Sequence, residues 1–184
     1  MTTLQQHMES SNIIKCKLVK ITGKDKKALL NITSNKDTMD SVGNGKPWDE
    51  KKVDNFIYYN SIDNKQSLEL RTNFYWGMKT KTGDSEEFIG VVGIHNVNYG
   101  KNGNKFYVTI FIDKSKIGLG YGTIFLKMAI TAFKKLKPDT PIYSDIDETN
   151  IASKKLHINL GFKPINKLHK INPKSSKLYQ TYIL

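Results

Sequence analysis

Two short stretches of this chain hold residues whose types and spacing suit chemistry. The first is Gly118-Leu119-Gly120-Tyr121-Gly122-Thr123. It lies between a β-like run, Lys105–Ile112, and a run in which Tyr121, Ile124, Phe125, Met128, Ala129, Ala132, Phe133 and Leu136 recur at the spacing of one helical face. Glycines let a turn aim backbone N–H groups at a ligand with no Cβ in the way, and a helix N-terminus adds unpaired donors and a partial positive charge. Such a turn suits an anion, above all a phosphate, without needing a cationic side chain. The plainer alternative is a tight connection. The Gly-Lys-Ser/Thr of a P-loop is missing, and a dinucleotide fingerprint would open the first βαβ unit, whereas β-like runs precede this turn.

The second stretch is Asn150–Phe162. Asn150, Ser153 and His157 stand at i, i+3 and i+7, so a helix presents an amide, a hydroxyl and an imidazole along one polar line. Ala152, Leu156 and Leu160 or Asn159 fall on the neighbouring stripe, which is expected to face the core. The plainer alternative makes Asn150 an N-cap and His157 a surface histidine.

These stretches need a framework, and the pattern supplies one. Residues 1–11 read as a flexible tail, and 12–184 as a single domain. The predicted elements are a strand over Ile13–Thr22, a helix over Asp25–Ile32 with Ala28, Leu29 and Ile32 inward, and a loop over Ser41–Pro47. A helix then opens at Trp48-Asp49-Glu50 and runs through Val53, Phe56 and Ile57. Strands over Phe74–Thr80, Phe88–Val97 and Phe106–Ile112 form a meander. After the long helix come a strand over Pro141–Ile146, a helix over Asn150–Leu160 stopped by Gly161, and a closing pair, Phe162–Leu168 and Lys177–Leu184. This order predicts a mixed α/β (α+β) fold, with a crossover helix joining the fourth strand to the fifth.

Composition narrows the function. The net charge is +12, but nearly all of it is scattered lysine, and Arg71 is the only arginine. That pattern reads as a solvated surface. A nucleic-acid partner has only the bulk charge in its favour, because lysine is a poor bidentate reader of phosphate and base. The single cysteine, Cys16, and the polar first residues point to a reducing, cytoplasmic setting, and no apolar run reaches a membrane span.

Together the two stretches resemble the GNAT superfamily of N-acetyltransferases. Its hallmark is a strand, then Arg/Gln-x-x-Gly-x-Gly/Ala opening a helix, then Asn-x-x-Ala/Ser-x-x-Leu-Tyr-x-x-x-Gly-Phe. Here the first motif reads Ile117-Gly118-Leu119-Gly120-Tyr121-Gly122. The second runs Asn150, Ser153, Leu156, His157, Gly161, Phe162. Phe88–Phe162 carries the match, and Phe88–Asn96 looks like the subgroup that acetylates ribosomal-protein N-termini and polyamines. The resemblance implies a GNAT-like fold with a central sheet of about six to seven strands and helices on both faces.

The resemblance also implies roles. Acetyl-CoA would be the co-substrate, with no metal, and the acceptor an amine: a small molecule or a protein N-terminus. Backbone groups of Ile110, Phe111 and Ile112 would hold the pantetheine arm. The amides of Ile117, Gly118, Leu119, Gly120, Tyr121 and Gly122, with the Thr123 hydroxyl, would hold the pyrophosphate. Asn150 and Ser153 match positions on the pantetheine side. His157 stands where the family usually has the tyrosine acid that protonates the leaving thiolate, and Ile117 stands where it has Arg or Gln. In the subgroup a glutamate often occupies the place of Tyr107, and no carboxylate lies between Phe106 and Ile112. His95 is therefore the candidate base, acting through a water, with a structural strand histidine as its alternative. A coenzyme-binding protein with little catalysis and a basic ribosome- or nucleic-acid-associated module are the competing readings. Monomer and homodimer both remain open.

Overall fold

The computed structural model describes residues 14–40, 42–43, 45–98, 104–165, 168–171 and 176–184. The tail expected over 1–11 lies outside them, as do Ile13, Ser41, most of the turn expected between Asn98 and Asn104, and part of the expected closing pair. Seven strands form one sheet in the order β1-β2-β3-β4-β5-β7-β6. They are β1 (Lys15–Val19), β2 (Asn73–Thr82), β3 (Ser85–Asn98), β4 (Asn104–Ile112), β5 (Ile142–Asp147), β6 (Lys163–Pro164) and β7 (Tyr179–Ile183). The helices are α1 (Lys26–Thr33), α2 (Lys36–Met39), α3 (Glu50–Asp63), α4 (Tyr121–Leu136) and α5 (Ile151–Asn159). All neighbouring strands run antiparallel except β4 and β5, which α4 joins in parallel.

Strand alternation gives the sheet two apolar faces. Val91 and Phe111 pack with Leu29, Ile32, Met39 and Val53 from α1 to α3. Val92, Ile110 and Ile112 point the other way, onto Phe125, Leu126 and Ala129 of α4. A bulge keeps this alternation in step with the helices. Met78 pairs with Gly90 and Lys79 with Phe88, so Ile89 is the extra residue. On its other edge β3 continues its ladder with β4, and the Ile89 carbonyl accepts the N–H of Asp113 at 2.8 Å. The Asp113 carboxylate in turn accepts the Ser115 N–H at 2.8 Å and its hydroxyl at 2.6 Å. A single 3-10 turn, Lys114–Lys116, follows and delivers the chain to the glycine loop.

Some local expectations are corrected. In α4 the buried residues are Phe125, Leu126, Ala129 and Phe133, while Ile124 and Leu136 face solvent. Leu126 and Ile130 complete the packed stripe because α4 lies across β1 to β4. In α5, Ala152 and Asn159 are exposed, Leu156 and Leu160 are half-buried, and His157 is the buried residue. Of the strand expected over Phe162–Leu168, Lys163–Pro164 is strand, Ile165 and Leu168 are not, and residues 166–167 lie outside the described residues; His169 and Tyr179 form an isolated bridge. Pro164 has no N–H to continue a ladder, which suits an edge strand. The short helix α2 was not visible in the apolar pattern.

Candidate functional site

The parallel pairing of β4 with β5 covers only Phe106 with Ile142 and Tyr107 with Tyr143. Beyond Tyr107 the two strands part, although β4 stays paired to β3 as far as Ile112. Val108 to Ile112 therefore offer alternate backbone N–H and C=O groups to a gap instead of a neighbouring strand. A cleft of about 260 Å³ fills this gap, and Ile110, Ser153, His157, His95, Tyr107 and Asp145 are among the residues that line it. An extended, amide-bearing ligand laid there could complete the β4 ladder as a strand would.

The glycine loop lies at one end of this gap, because it follows β4 directly. Gly118 and Gly120 both adopt φ +83°, and a Cβ at either would meet nothing within 4 Å. Their left-handed backbone is the reason they are glycine. Gly120 is the N-cap of α4 and has no side chain to cap it. Around the loop, the Ile117 N–H bonds the Lys114 carbonyl, and the N–H groups of Thr123 and Ile124 bond the Gly120 carbonyl. None of these backbone bonds uses the N–H groups of Gly118, Leu119, Gly120, Tyr121 or Gly122. They form an array of donors at the positive end of a helix dipole. The lysines before it are engaged, Lys116 with Glu87 at 2.7 Å and Lys114 with Asp37. Ile117 points outward at 58% exposure. Gly122 has a different basis from the one expected. Its φ is not positive, and a Cβ there would come 2.7 Å from Cδ1 of Leu156, so it permits close packing of α4 on α5.

The second motif forms α5, whose Leu156 packs beside α4. The Oδ1 of Asn150 accepts the Ser153 N–H at 3.0 Å, so Asn150 is the N-cap of α5. His157 is no surface residue: it is 1% exposed and lies edge-on to Phe162 with ring centroids 4.9 Å apart. Its Nδ1 stands 2.8 Å from the Ser153 carbonyl oxygen. A carbonyl can only accept, so Nδ1 carries the proton and neutral His157 keeps a lone pair on Nε2. Nε2 is buried and has no hydrogen-bond partner among the described residues. Burial pushes the His157 pKa down, and the bond to the Ser153 backbone opposes this. The neutral ring is thus an acceptor at Nε2, where the acid expected at this position would be a donor.

His95 enters the same cleft from the opposite face of the sheet, since it pairs with Tyr107 on β4. It stacks on Tyr75 at 5.7 Å, and its Nδ1 is 3.4 Å from the Thr109 hydroxyl. Burial lowers its pKa too. Phe111, expected to serve through its backbone, turns its ring away from the cleft and packs edge-on to Trp48 at 5.7 Å. Tyr107 stacks on Tyr143 at 5.5 Å.

One carboxylate was missed. Asp145 lies on β5, beyond the point where the strands part, and lines the cleft. The sequence search for a carboxylate covered β4 alone. The alternation Tyr143, Asp145, Asp147 against Ile142, Ser144, Ile146 was the available signal. Cys16 lies on β1, at the far edge of the sheet, where burial raises its thiol pKa. Among the described residues no group of three or more His, Cys, Asp or Glu is placed to hold a metal ion, and no helix is long and apolar enough to cross a membrane.

A sequence model described as an acetyltransferase (GNAT) domain matches residues 16–163. No curated protein matches the chain by sequence. Solved structures share its fold at low identity. A spermidine N-acetyltransferase from Vibrio cholerae, in complex with CoA and spermine, superposes with a TM-score of 0.71 at 14% identity, over 93% of this chain and 94% of that one. A ribosomal-protein-alanine N-acetyltransferase from Brucella melitensis gives 0.70 at 16% identity, over 94% and 98%. The microcin C7 self-immunity acetyltransferase, in complex with acetyl-CoA and AMP, gives 0.71 at 18% identity, over 92% of each.

Proposed function

The chain belongs to the GNAT acetyltransferase family, and we propose that it moves an acetyl group from acetyl-CoA to an amine by direct attack, with His157 carrying the proton. The observation that supports this most is the combination at β4: a strand edge opened by the parting of β5, ending in a loop of unbonded N–H groups. The open edge suits the amides of a pantetheine arm, and the loop suits a pyrophosphate. Solved structures of the same fold hold CoA or acetyl-CoA.

In this reading the acceptor approaches from the α1–α3 side, where His95 and Tyr107 lie, and the thioester lies along β4. An N–H of β4 that faces the gap, that of Ile110 or Ile112, polarises the thioester oxygen. The amine nitrogen bonds to the carbonyl carbon and loses a proton to Nε2 of His157. As the C–S bond breaks, the same proton passes from Nε2 to the departing sulfur. His157 ends neutral, as it began, and atoms and charge balance. His95 orders a water or the incoming amine from the other face. Holding amine and thioester together in the cleft supplies much of the acceleration. Cys16, at the far edge of the sheet, forms no acyl-enzyme.

The test is acetyl-CoA binding by calorimetry, followed by thiol release in the presence of an amine panel. One-to-one binding with amine-dependent release is the expected result. No binding would sink the proposal. Binding without release from any amine would favour the coenzyme-binding reading, for which the exposed Ile117 in place of Arg or Gln is the supporting feature.

A further inference from the structure

The chain carries 29 basic residues and a net charge of +12, yet its cleft has the opposite character. Among the described residues lining it, no lysine or arginine appears, and Asp145 is the one with a formal charge, since burial favours the neutral form of His95 and His157. The Asp145 side chain is 14% exposed. Its Oδ1 accepts the Thr181 hydroxyl at 2.6 Å, and Nε2 of His169 stands 3.7 Å from the same oxygen. The hydrogen bond from Thr181 fixes the carboxylate, and no described hydrogen bond or ion pair uses Oδ2. Asp145 shares a face of β5 with Tyr143, which stacks on Tyr107, so an aromatic wall adjoins the charge.

Two segments that line the cleft are tied together. Lys177 donates to the Asp40 carbonyl at 2.8 Å and its carboxylate at 2.6 Å, and pairs with Asp147 at 3.4 Å. This joins the segment carrying Tyr179 to the segment carrying Val42 and Gly43, all of which line the cleft. An acceptor held at Asp145 within a cleft of about 260 Å³ is small.

We propose that Asp145 anchors the acceptor, and that the acceptor is a small aliphatic diamine held by one ammonium while its other nitrogen attacks. The proposal rests on the acetyl-transfer reading above. The division between the two nitrogens follows from charge. A carboxylate beside the attacking nitrogen would hold its proton and oppose the reaction. Beside a second, non-reacting nitrogen it adds binding at no such cost. The Asp145 anchor and the Nε2 acceptor of His157 lie in one cleft and treat the two ends differently.

The experiment compares diaminobutane with butylamine and alanine amide in wild type, Asp145→Asn and Asp145→Glu, with acetyl-CoA affinity measured by calorimetry in each. In wild type, diaminobutane should exceed butylamine in kcat/KM by roughly ten- to a hundredfold, the range for one charge-assisted contact. Asp145→Asn, which keeps an oxygen for Thr181, should erase that preference through KM, with acetyl-CoA affinity by calorimetry changing little. Asp145→Glu should restore part of it. A wild type that binds acetyl-CoA but prefers butylamine or alanine amide, or acetylates none of the three, overturns this proposal and leaves the proposed function standing. So does an Asp145→Asn protein that retains the preference. Failure to bind acetyl-CoA overturns both. The wild-type comparison decides the matter even where a variant does not fold.

Discussion

Nδ1 of His157 lies 2.8 Å from the carbonyl oxygen of Ser153, one turn earlier on the same helix. This contact sets the direction in which the imidazole can work. It commits the only proton of the neutral ring to the backbone and leaves Nε2 as an acceptor, buried and unpartnered. A tyrosine at the same place would enter the reaction as a donor. In the proposed reaction the histidine would enter as an acceptor and donate only after it has been protonated.

The first consequence concerns stability and pH. Burial holds His157 and His95 below the ordinary histidine pKa of 6.5, which the unfolded chain retains. Above that value both states are neutral, and the full stability is present. As pH falls through it toward the lower folded values, the unfolded chain takes up protons that the native state refuses, and stability is lost. The thermal midpoint should therefore decline between about pH 7 and about pH 5. His157→Gln should make that decline shallower, whatever it does to the midpoint at neutral pH. Equal slopes in the two proteins would mean that His157 is not held neutral by the fold.

The second consequence is kinetic. Loss of Nε2 should fall on turnover and spare cofactor affinity, because the proton moves only as the bonds change. His157→Ala is expected to lower kcat by roughly ten- to a thousandfold, around the range for acid–base groups. Acetyl-CoA affinity by calorimetry should change little. Assays belong well below the variant's thermal midpoint, because removing a ring packed on Phe162 also costs stability. Unchanged kcat with chemistry rate-limiting would remove His157 from the reaction.

The fold was readable from sequence where local pattern decides it. The meander, the long helix and its parallel crossover, and the motif helix after β5 all follow from periodicity and glycine placement. What escaped depends on contacts between distant residues. The parting of β4 from β5 after Tyr107 leaves no mark in either strand's own pattern, and only the family resemblance implied it, through the backbone role expected of Ile110, Phe111 and Ile112. The burial of His157 depends on Phe162 closing over it, and the helical wheel alone placed it on a polar face. Gly122 looked like its loop neighbours, although its reason is Leu156, thirty-odd residues on. Asp145 was overlooked because the search for a carboxylate followed one strand, and the cleft is built from two.

The loop carries a prediction of its own. A side chain on Gly120 starts from a backbone at φ +83° and projects into open space over the free N–H groups. Gly120→Glu adds about 1–2 kcal/mol of backbone strain and sets a carboxylate where the pyrophosphate is expected. Acetyl-CoA binding should weaken by at least about tenfold at low ionic strength, with a smaller loss at high salt. Affinity that does not change at either salt concentration would place the pyrophosphate elsewhere.

Ile117 tests the same site from the other direction. Its side chain is exposed and stands just before the donor array. Ile117→Arg should tighten acetyl-CoA binding by about 0.5–1.5 kcal/mol, the range for a charge-assisted contact at a largely exposed position. The gain should shrink as salt is added. A calorimetric titration without any gain would mean that residue 117 faces away from the phosphates.

Gly90 links the bulge to the cofactor strand, and its substitution should show both dependences. A Cβ on Gly90 would run into the Phe111 carbonyl oxygen and come 2.9 Å from Cα of Ile112 and 2.5 Å from Cε of Met78. The methionine can swing away, but the two β4 contacts are backbone and cannot yield without moving the strand. Gly90→Ala should therefore destabilise the protein by about 1–3 kcal/mol, as overpacking in a core does, which lowers the thermal midpoint of a chain this size by roughly 2–10 °C. The displaced groups belong to Phe111 and Ile112, beside the Ile110 and Ile112 groups proposed to flank the pantetheine and polarise the thioester. Acetyl-CoA affinity should fall as well, even at temperatures where the variant is fully folded. Gly23→Ala is the control, since a Cβ there meets nothing within 4 Å, and both properties should be unchanged. A Gly90→Ala protein with lowered midpoint and intact acetyl-CoA affinity would confine Gly90 to packing and detach the bulge from cofactor binding.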